Sequence, residues 1–221
     1  MNFFFGVNSS NINSTLTIPR FQNSSPTKEK YLLYQLQNRN NRWKIKNLED
    51  VVLNRDFYRI DCSEIDNGKI FCLATKKEIL ELEKNNYSKL MNLNNYTDTV
   101  PDFRANLQVS IKGGGFSSYQ SEYPFSMVTK KGSILSPISS LCNKRADKNI
   151  LLLKNIYELP INDNFAVFFV NIKTKRVLKK IEVKTNFLNE IIIEKEFIKP
   201  EVFLFTDKYI GVPIFCSIKD K

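Results

Sequence analysis

The nine residues FRANLQVSI, at positions 103–111, alternate apolar and polar side chains without a break. Successive side chains of a β-strand point to opposite faces, so this stretch predicts a strand with one buried and one open face. Lys112 and then Gly113–Gly115 follow it, and a second segment comes after them in which alternate residues share one parity: Ser117, Tyr119, Ser121, Tyr123 and Phe125. The pattern predicts two antiparallel strands joined by a glycine turn. The apolar residues that we expect to be buried are Phe103, Leu107, Val109 and Ile111.

The last sixty residues carry a similar pattern. FAVFFVNI at 165–172 is apolar on both faces, which predicts a central strand, and residues 177–184 alternate as a partner strand with one solvated face. Pro213 cannot donate to a ladder, which places the last predicted strand at a sheet edge. The other strands predicted here are 191–193, 202–205 and 210–218. The chain is therefore predicted to be mainly β, an antiparallel β-sandwich or jelly-roll-like domain with one or two short helices.

Residues 31–36 and 42–46 flank an asparagine-rich turn. They predict a β-hairpin in which Trp43 is an anchor, because short apolar runs bounded by turn residues are typical of strands. A helix over 28–39 is also compatible with these residues, since period alone does not distinguish short apolar runs.

Residues 76–93 have the spacing of an amphipathic helix. Apolar residues are interrupted by charges of both signs, as on a solvated helix face, and the helix is predicted to end near Asn85. A further hairpin is predicted just before it, from strands at 57–62 and 69–74 that flank a turn signal.

Residues 1–27 are dominated by asparagine, serine and threonine. They predict a polar N-terminal tail or arm, in which Leu16, Ile18 and Phe21 could add a short edge strand. No linker is recognisable after this segment, so residues 28–221 are predicted to form a single β-rich domain.

Composition excludes several classes of protein. No apolar run approaches the ~18 residues of a membrane-spanning helix, and the first residues lack the features of a secretory signal, which predicts a cytoplasmic protein.

The formal net charge of +10 suits nucleic acid or another anionic partner, but a compositional bias toward lysine and asparagine explains it as well.

Histidine is absent from the chain. Its absence excludes Ser-His-Asp and Cys-His catalysis for the chain acting alone, and the widely spaced cysteines have no metal-binding spacing. Cys62 and Cys72 would lie opposite each other only in one register of the hairpin predicted there, so buried free thiols are favoured over a disulfide. No cofactor or metal is expected.

The polar side of residues 104–123 is the candidate binding surface. Its amide, hydroxyl and phenol groups suit a polar small molecule, a glycan or a partner protein, because tyrosine rings cover apolar sugar faces while amides and hydroxyls form hydrogen bonds. The predicted ligand-binding residues are Arg104, Asn106, Gln108, Ser117, Tyr119, Gln120, Glu122 and Tyr123. The chain is thus predicted to be a non-catalytic binding module, and the sequence does not define its oligomeric state.

Two alternatives stay open. Glu122, beside aromatic residues, could act as the general acid of an enzyme acting on glycans if a second carboxylate lay nearby. The candidates for that second carboxylate are Asp98, Asp102 and Asp147. Basic residues accompany aromatic or polar ones at 39–46 and again at 173–180, a composition that suits a single-stranded nucleic-acid-binding β protein.

Overall fold

The computed structural model describes residues 1–19, 30–48, 56–91, 104–111, 114–123 and 125–219. It is mainly β, with 49% strand and 10% helix, which confirms the predicted fold class. The strands are β1 Asn2–Phe4, β2 Ile12–Pro19, β3 Tyr31–Arg39, β4 Arg42–Asn47, β5 Phe57–Asp61, β6 Ile70–Thr75, β7 Asn106–Ile111, β8 Phe116–Gln120, β9 Glu122–Tyr123, β10 Lys148–Lys154, β11 Asn164–Asn171, β12 Arg176–Lys184, β13 Leu188–Ile192, β14 Val202–Phe205 and β15 Val212–Ile218. The helices are α1 Lys76–Lys84 and α2 Ile138–Leu141.

The chain divides into two compact units. The first comprises Met1–Met127 and Glu158–Ile161, and the second comprises Val128–Tyr157 and Asn162–Lys221. The single domain predicted over 28–221 therefore spans parts of both units.

The first unit contains two antiparallel sheets. Sheet A has the strand order β4-β3-β6-β1-β9, and sheet B has the order β5-β2-β7-β8. Buried side chains of both sheets form one core cluster, to which sheet A contributes Phe4, Leu33 and Phe71 and sheet B contributes Leu16 and Ile60. Burying each such side chain contributes roughly 1.5–3 kcal/mol. The two sheets are thus held together as in a β-sandwich.

Residues 1–19 belong to this sandwich, although a polar tail or arm was predicted for 1–27. β1 lies between β6 and β9, and β2 lies between β5 and β7, so neither is an edge strand. The inward-facing residues of β2 are Ile12, Ser14, Leu16 and Ile18. A serine at one inward position obscures the apolar alternation in the sequence. Residues 20–27 lie outside the described residues.

Two buried serines hold the segment that connects β1 to β2. The N–H of Val7 donates to Ser14 Oγ at 2.8 Å, and the same hydroxyl donates to Val7 O at 2.8 Å. Ser121 Oγ accepts from the N–H of Phe5 at 3.1 Å and donates to Phe5 O at 2.7 Å. These hydroxyls satisfy backbone groups that would otherwise be buried without partners, which is costly.

Gly6 lies between the two residues that the serines hold. A Cβ atom at this position would lie 2.2 Å from Cys62 Sγ and 3.0 Å from Cys62 Cβ. No real Cβ approaches another atom so closely, so the packing of the connecting segment against Cys62 requires glycine here.

The hairpin of β3 and β4 confirms the first interpretation of residues 31–46, and the alternative helix is wrong. Asn40 and Asn41 connect the strands with φ angles of 52° and 57°. Asparagine tolerates this left-handed conformation, which a two-residue hairpin turn requires. Trp43 is buried and its Nε1–H donates to Glu158 O at 3.1 Å, which makes it an anchor of the first unit.

The second predicted hairpin, over 57–62 and 69–74, is wrong. β5 pairs with β2 in sheet B, whereas β6 pairs with β1 and β3 in sheet A. The turn between them reverses the direction of the chain, and the chain crosses there from sheet B to sheet A. Cys62 and Cys72 are both buried free thiols, as predicted.

Helix α1 begins and ends close to the predicted positions. The Thr75 hydroxyl accepts from the N–H of Glu78 at 3.2 Å, and the Glu78 carboxylate accepts from the N–H of Thr75 at 3.0 Å. This capping box fixes the N-terminus of the helix. The buried Glu78 carboxylate also pairs with the α-amino group of Met1. At the other end of the helix, Lys84 is the last helical residue and Asn85 is the C-cap.

The second unit contains sheet C, with the order β12-β11-β14, and sheet D, with the order β13-β10-β15. Leu151 and Leu153 from sheet D share one core cluster with Val167, Phe169 and Leu204 from sheet C. β11 is the central strand of sheet C, and β15, which contains Pro213, is an edge strand of sheet D. Both positions confirm the predictions for these strands.

Candidate binding surface on sheet B

The side of sheet B opposite the core carries two rows of polar side chains that cross all four strands. Alternate residues of β2, β5 and β7 are buried, so the residues between them point outward, and the strand register aligns them in rows with residues of β8. One row consists of Arg59, Thr17, Asn106 and Gln120, and the next consists of Asp61, Thr15, Gln108 and Ser118. We call these eight residues the polar face. The two threonines are half-buried and the other six residues are exposed.

The formal charges of the polar face cancel, since it holds one arginine and one aspartate. Asp61 accepts the N–H of Ser63 at 2.9 Å, and this hydrogen bond, with a smaller contribution from Arg59, lowers the pKa of the Asp61 carboxyl below its usual value. The remaining six residues are amides and hydroxyls. Such a surface offers many neutral donors and acceptors to a polar ligand.

Strand β8 forms one edge of sheet B. The glycine turn before it has φ angles of 114° at Gly114 and 89° at Gly115, as the predicted turn requires. Ile111 N–H donates to Gly115 O, and Ser121 N–H donates to Ala105 O, each at 3.2 Å. In an antiparallel pair, every second residue bonds to the partner strand. The backbone groups directed away from β7 are therefore those of Phe116, Ser118 and Gln120.

The structure brings together part of the predicted site. Asn106, Gln108 and Gln120 share the polar face, and Arg104 is exposed just before β7. Ser117 and Tyr119 do not share it, because they pair with Val109 and Leu107, whose side chains point into the core. Ser117 is nevertheless exposed at the sheet edge, and Tyr119 is half-buried.

The predicted surface does not continue to residue 123. After Gln120 the chain leaves sheet B, and β9 pairs with β1 in sheet A, where Glu122 lies opposite Phe4. Tyr123 is 1% exposed and cannot contribute to a surface site. Its place in the predicted site is corrected for that reason. Ser121, at the crossing, is fully buried and holds Phe5.

Sequence reasoning missed five of the eight residues of the polar face, among them Ser118 on β8. Thr15 and Thr17 lie on β2, in the predicted tail, and Arg59 and Asp61 lie on β5, which was assigned to a hairpin with β6. The alternation of residues 12–18 was the available signal for the threonines. No signal within residues 57–61 identifies β2 as their partner.

The sequence also predicted two alternative sites, one for an enzyme and one for nucleic acid. For an enzyme, Asp98 and Asp102 lie outside the described residues, and Asp147 belongs to the second unit. The pairing of Glu122 with a second carboxylate stays a prediction. For nucleic acid, burial removes Trp43 from any stacking surface in the group at 39–46.

Burial governs the chemistry of the cysteines. Desolvation raises the pKa of the Cys62 thiol to about 11 and that of Cys142 to about 11, and it also raises the pKa of Cys72. Raised pKa values leave thiols protonated and unreactive.

Within the described part of the chain, no group of three or more cysteine and carboxylate side chains is placed to hold a metal ion.

No protein-family model, no curated protein and no solved structure matches this chain. No helix in the described ranges is long and apolar enough to cross a membrane.

Proposed function

We propose that this chain is a non-catalytic binding module that recognises a partner polypeptide along β8 and the adjoining polar face. The observation that carries the proposal is the edge of β8. Among the described residues, β8 pairs with β7 alone, and its outward backbone groups at Phe116, Ser118 and Gln120 are placed to accept another strand. Strand addition of this kind takes its affinity from main-chain hydrogen bonds and its specificity from neighbouring side chains.

Three further features of the edge favour a polypeptide. β8 contains no proline or lysine, residues with which proteins usually protect an open edge. Phe116 is 74% exposed at its start, where it can pack against an apolar side chain of the added strand. The neutral amides of Asn106 and Gln108 lie on β7 beside this edge strand and suit polar side chains of the same segment.

A glycan is supported less well. Sugar recognition uses an aromatic ring beside polar groups, but Tyr123 is buried and Tyr119 belongs to the other side of the strand. Phe116 is the one aromatic side chain that β8 directs to the same side as Ser118 and Gln120.

The test uses peptides selected from a displayed random library against the full-length chain, with affinities measured by fluorescence anisotropy. Ser118→Pro removes an N–H that points away from β7, so it should weaken the selected peptides at least tenfold while the chain stays folded. Ser118→Ala is the matched control, because it keeps that N–H and should bind like the wild type.

Equal binding to both Ser118 variants, or failure to select any peptide, would refute strand addition. A glycan array run in parallel identifies the competing ligand class. A neutral glycan whose binding is lost in Gln108→Ala and kept in Ser118→Pro would replace the polypeptide in this proposal.

A further inference from the structure

The side of sheet C opposite its core is partly apolar and rich in phenylalanine. β11 places Phe165, Val167 and Phe169 in the core of the second unit. Its intervening residues, Phe168 and Val170 among them, point outward and are partly exposed. β14 behaves in the same way, with Val202 and Leu204 buried and Phe203 and Phe205 partly exposed.

These outward side chains align across the three strands. Phe168 lies opposite Phe205 on one side and Lys180 on the other, and Val170 lies between Phe203 and Val177. The rings of Phe203 and Phe205 have centroids 6.2 Å apart. We call Phe168, Val170, Val177, Lys180, Phe203 and Phe205 the aromatic face.

A β-bulge keeps the two rows in register. The pairing of β11 with β12 shifts between Phe169 and Val170, so Leu178 is left without an opposite residue. Without that extra residue, Val177 and Lys180 would fall on opposite sides of the sheet, because they are three positions apart. The bulge places both on the aromatic face.

Positive charge is concentrated in the second unit and in the hairpin that carries part of this face. The second unit contains 17 lysine and arginine residues against 9 aspartate and glutamate residues, which is +8 of the net +10 of the chain. The hairpin at 173–184 alone carries six basic residues and one acidic residue, Glu182. Lys179 pairs with Glu194, and Lys184 lies over the ring of Phe187.

The other four basic residues of the hairpin, Lys173, Lys175, Arg176 and Lys180, are exposed and make no ion pair with any described residue. Lys180 belongs to the aromatic face, and Lys173 and Lys175 lie in the turn at the end of its strands, so these three residues supply cations beside the aromatic rings. A partly exposed aromatic sheet beside unpaired cations complements a ligand with flat apolar rings and a string of negative charges.

We propose that the aromatic face binds single-stranded nucleic acid. Bases would stack on Phe168, Phe203 and Phe205, and phosphates would contact the lysine and arginine side chains of the hairpin. Sheet platforms with two or three aromatic residues recognise single strands in this way. Duplexes fit less well, because their bases are already stacked on one another. The site lies in the second unit and is independent of the polar face.

The test measures binding of the full-length chain to fluorescein-labelled 12-nucleotide oligo(U) and oligo(dT), and to a 12-base-pair duplex. Four phosphate contacts predict that log K falls with log salt concentration at a slope of about −3, which is a loss of about 50-fold between 50 and 200 mM NaCl. Single strands should bind more tightly than the duplex.

Two kinds of variant separate stacking from charge. Phe168→Leu and Phe205→Leu keep an apolar side chain but remove the ring, so each should weaken binding about tenfold without changing the salt slope. Lys180→Gln, at an exposed position, should reduce the slope to about −2. Lys44→Gln, at an exposed position of β4 in the first unit, is the matched charge control and should change nothing.

Three results would overturn the proposal. The first is no binding of either oligonucleotide at 50 mM NaCl. The second is an equal effect of Lys44→Gln and Lys180→Gln with none from the phenylalanine variants, which would reduce binding to diffuse attraction by net charge. The third is self-association in light scattering that Phe168→Leu abolishes, which would make the aromatic face a contact between copies of this chain.

Discussion

Gly6→Ala tests whether the first residues of the chain are packed into the sandwich. The new Cβ would meet Cys62 Sγ at 2.2 Å, whereas comfortable contacts are about 3.5–4.0 Å. The two atoms must therefore separate by more than about 1 Å inside a core where Cys62 is fully buried. Overpacking of this kind costs about 1–3 kcal/mol, and we expect about 2 kcal/mol for this variant.

Cys62→Ala removes the obstructing sulfur and provides a double-mutant cycle. Alone it should cost about 1 kcal/mol for the lost burial and the small cavity. Because the two residues are in contact, the double variant should be less destabilised than the sum of the single ones, with a coupling energy of about 1–2 kcal/mol. Gly132→Ala is the control, since no atom lies within 4 Å of a Cβ there.

Urea unfolding measures the cycle. The single tryptophan, Trp43, is buried in the first unit and reports its unfolding by fluorescence, while circular dichroism follows both units. With a slope near 2 kcal/mol per molar, Gly6→Ala should lower the midpoint by about 1 M. A change below about 0.5 kcal/mol, or the same loss in the Cys62→Ala background, would refute the packing of Gly6 against Cys62.

Three other predictions test burial elsewhere. Ser121→Ala should lower the free energy of unfolding by about 1–3 kcal/mol, because the Ser121 hydroxyl satisfies two buried backbone groups. Ser118→Ala, at an exposed position, is the control and should change the free energy of unfolding by less than about 0.5 kcal/mol. Chemical denaturation of both variants makes the comparison. Asn106→Leu, on the open face, should shift Tm by less than about 2 °C in a thermal melt, and Asn149→Leu, which removes a buried hydrogen-bonded amide, should lower it by about 5 °C or more. Burial raises the pKa of Cys62 to about 11, so its stabilising contribution is complete below about pH 8.5 and falls by about 1.4 kcal/mol per pH unit up to pH 11. A pH titration of stability in which wild type and Cys62→Ala have equal slopes would contradict this last expectation.

Local pattern predicted most of the elements correctly. Strict alternation of apolar and polar residues located β7, and a run of residues apolar on both faces located β11. Apolar residues at helical spacing, separated by charges of both signs, located α1, whose C-cap is Asn85. Two hairpins, β3 with β4 and β7 with β8, follow from turn residues alone, since asparagine and glycine adopt the left-handed conformations that these turns need.

Pairing between distant strands could not be predicted in the same way. A turn signal reports that the chain reverses, and it does not report whether the next strand joins the same sheet. For that reason β5 and β6 were assigned to one hairpin, and Arg59 and Asp61 of the polar face were missed. In residues 12–19, polar side chains conceal strand β2 because Ser14 occupies an inward position and bonds to the backbone of Val7.

The place of β1 in sheet A has a consequence for the order of events during synthesis. Phe3 pairs with Cys72 on one side and with Tyr123 on the other. β1 therefore completes its pairing in sheet A only after more than a hundred further residues have been synthesised. Contacts of such long sequence separation slow folding, and Phe3, Phe4 and Phe5 stay open to wrong partners in the interval.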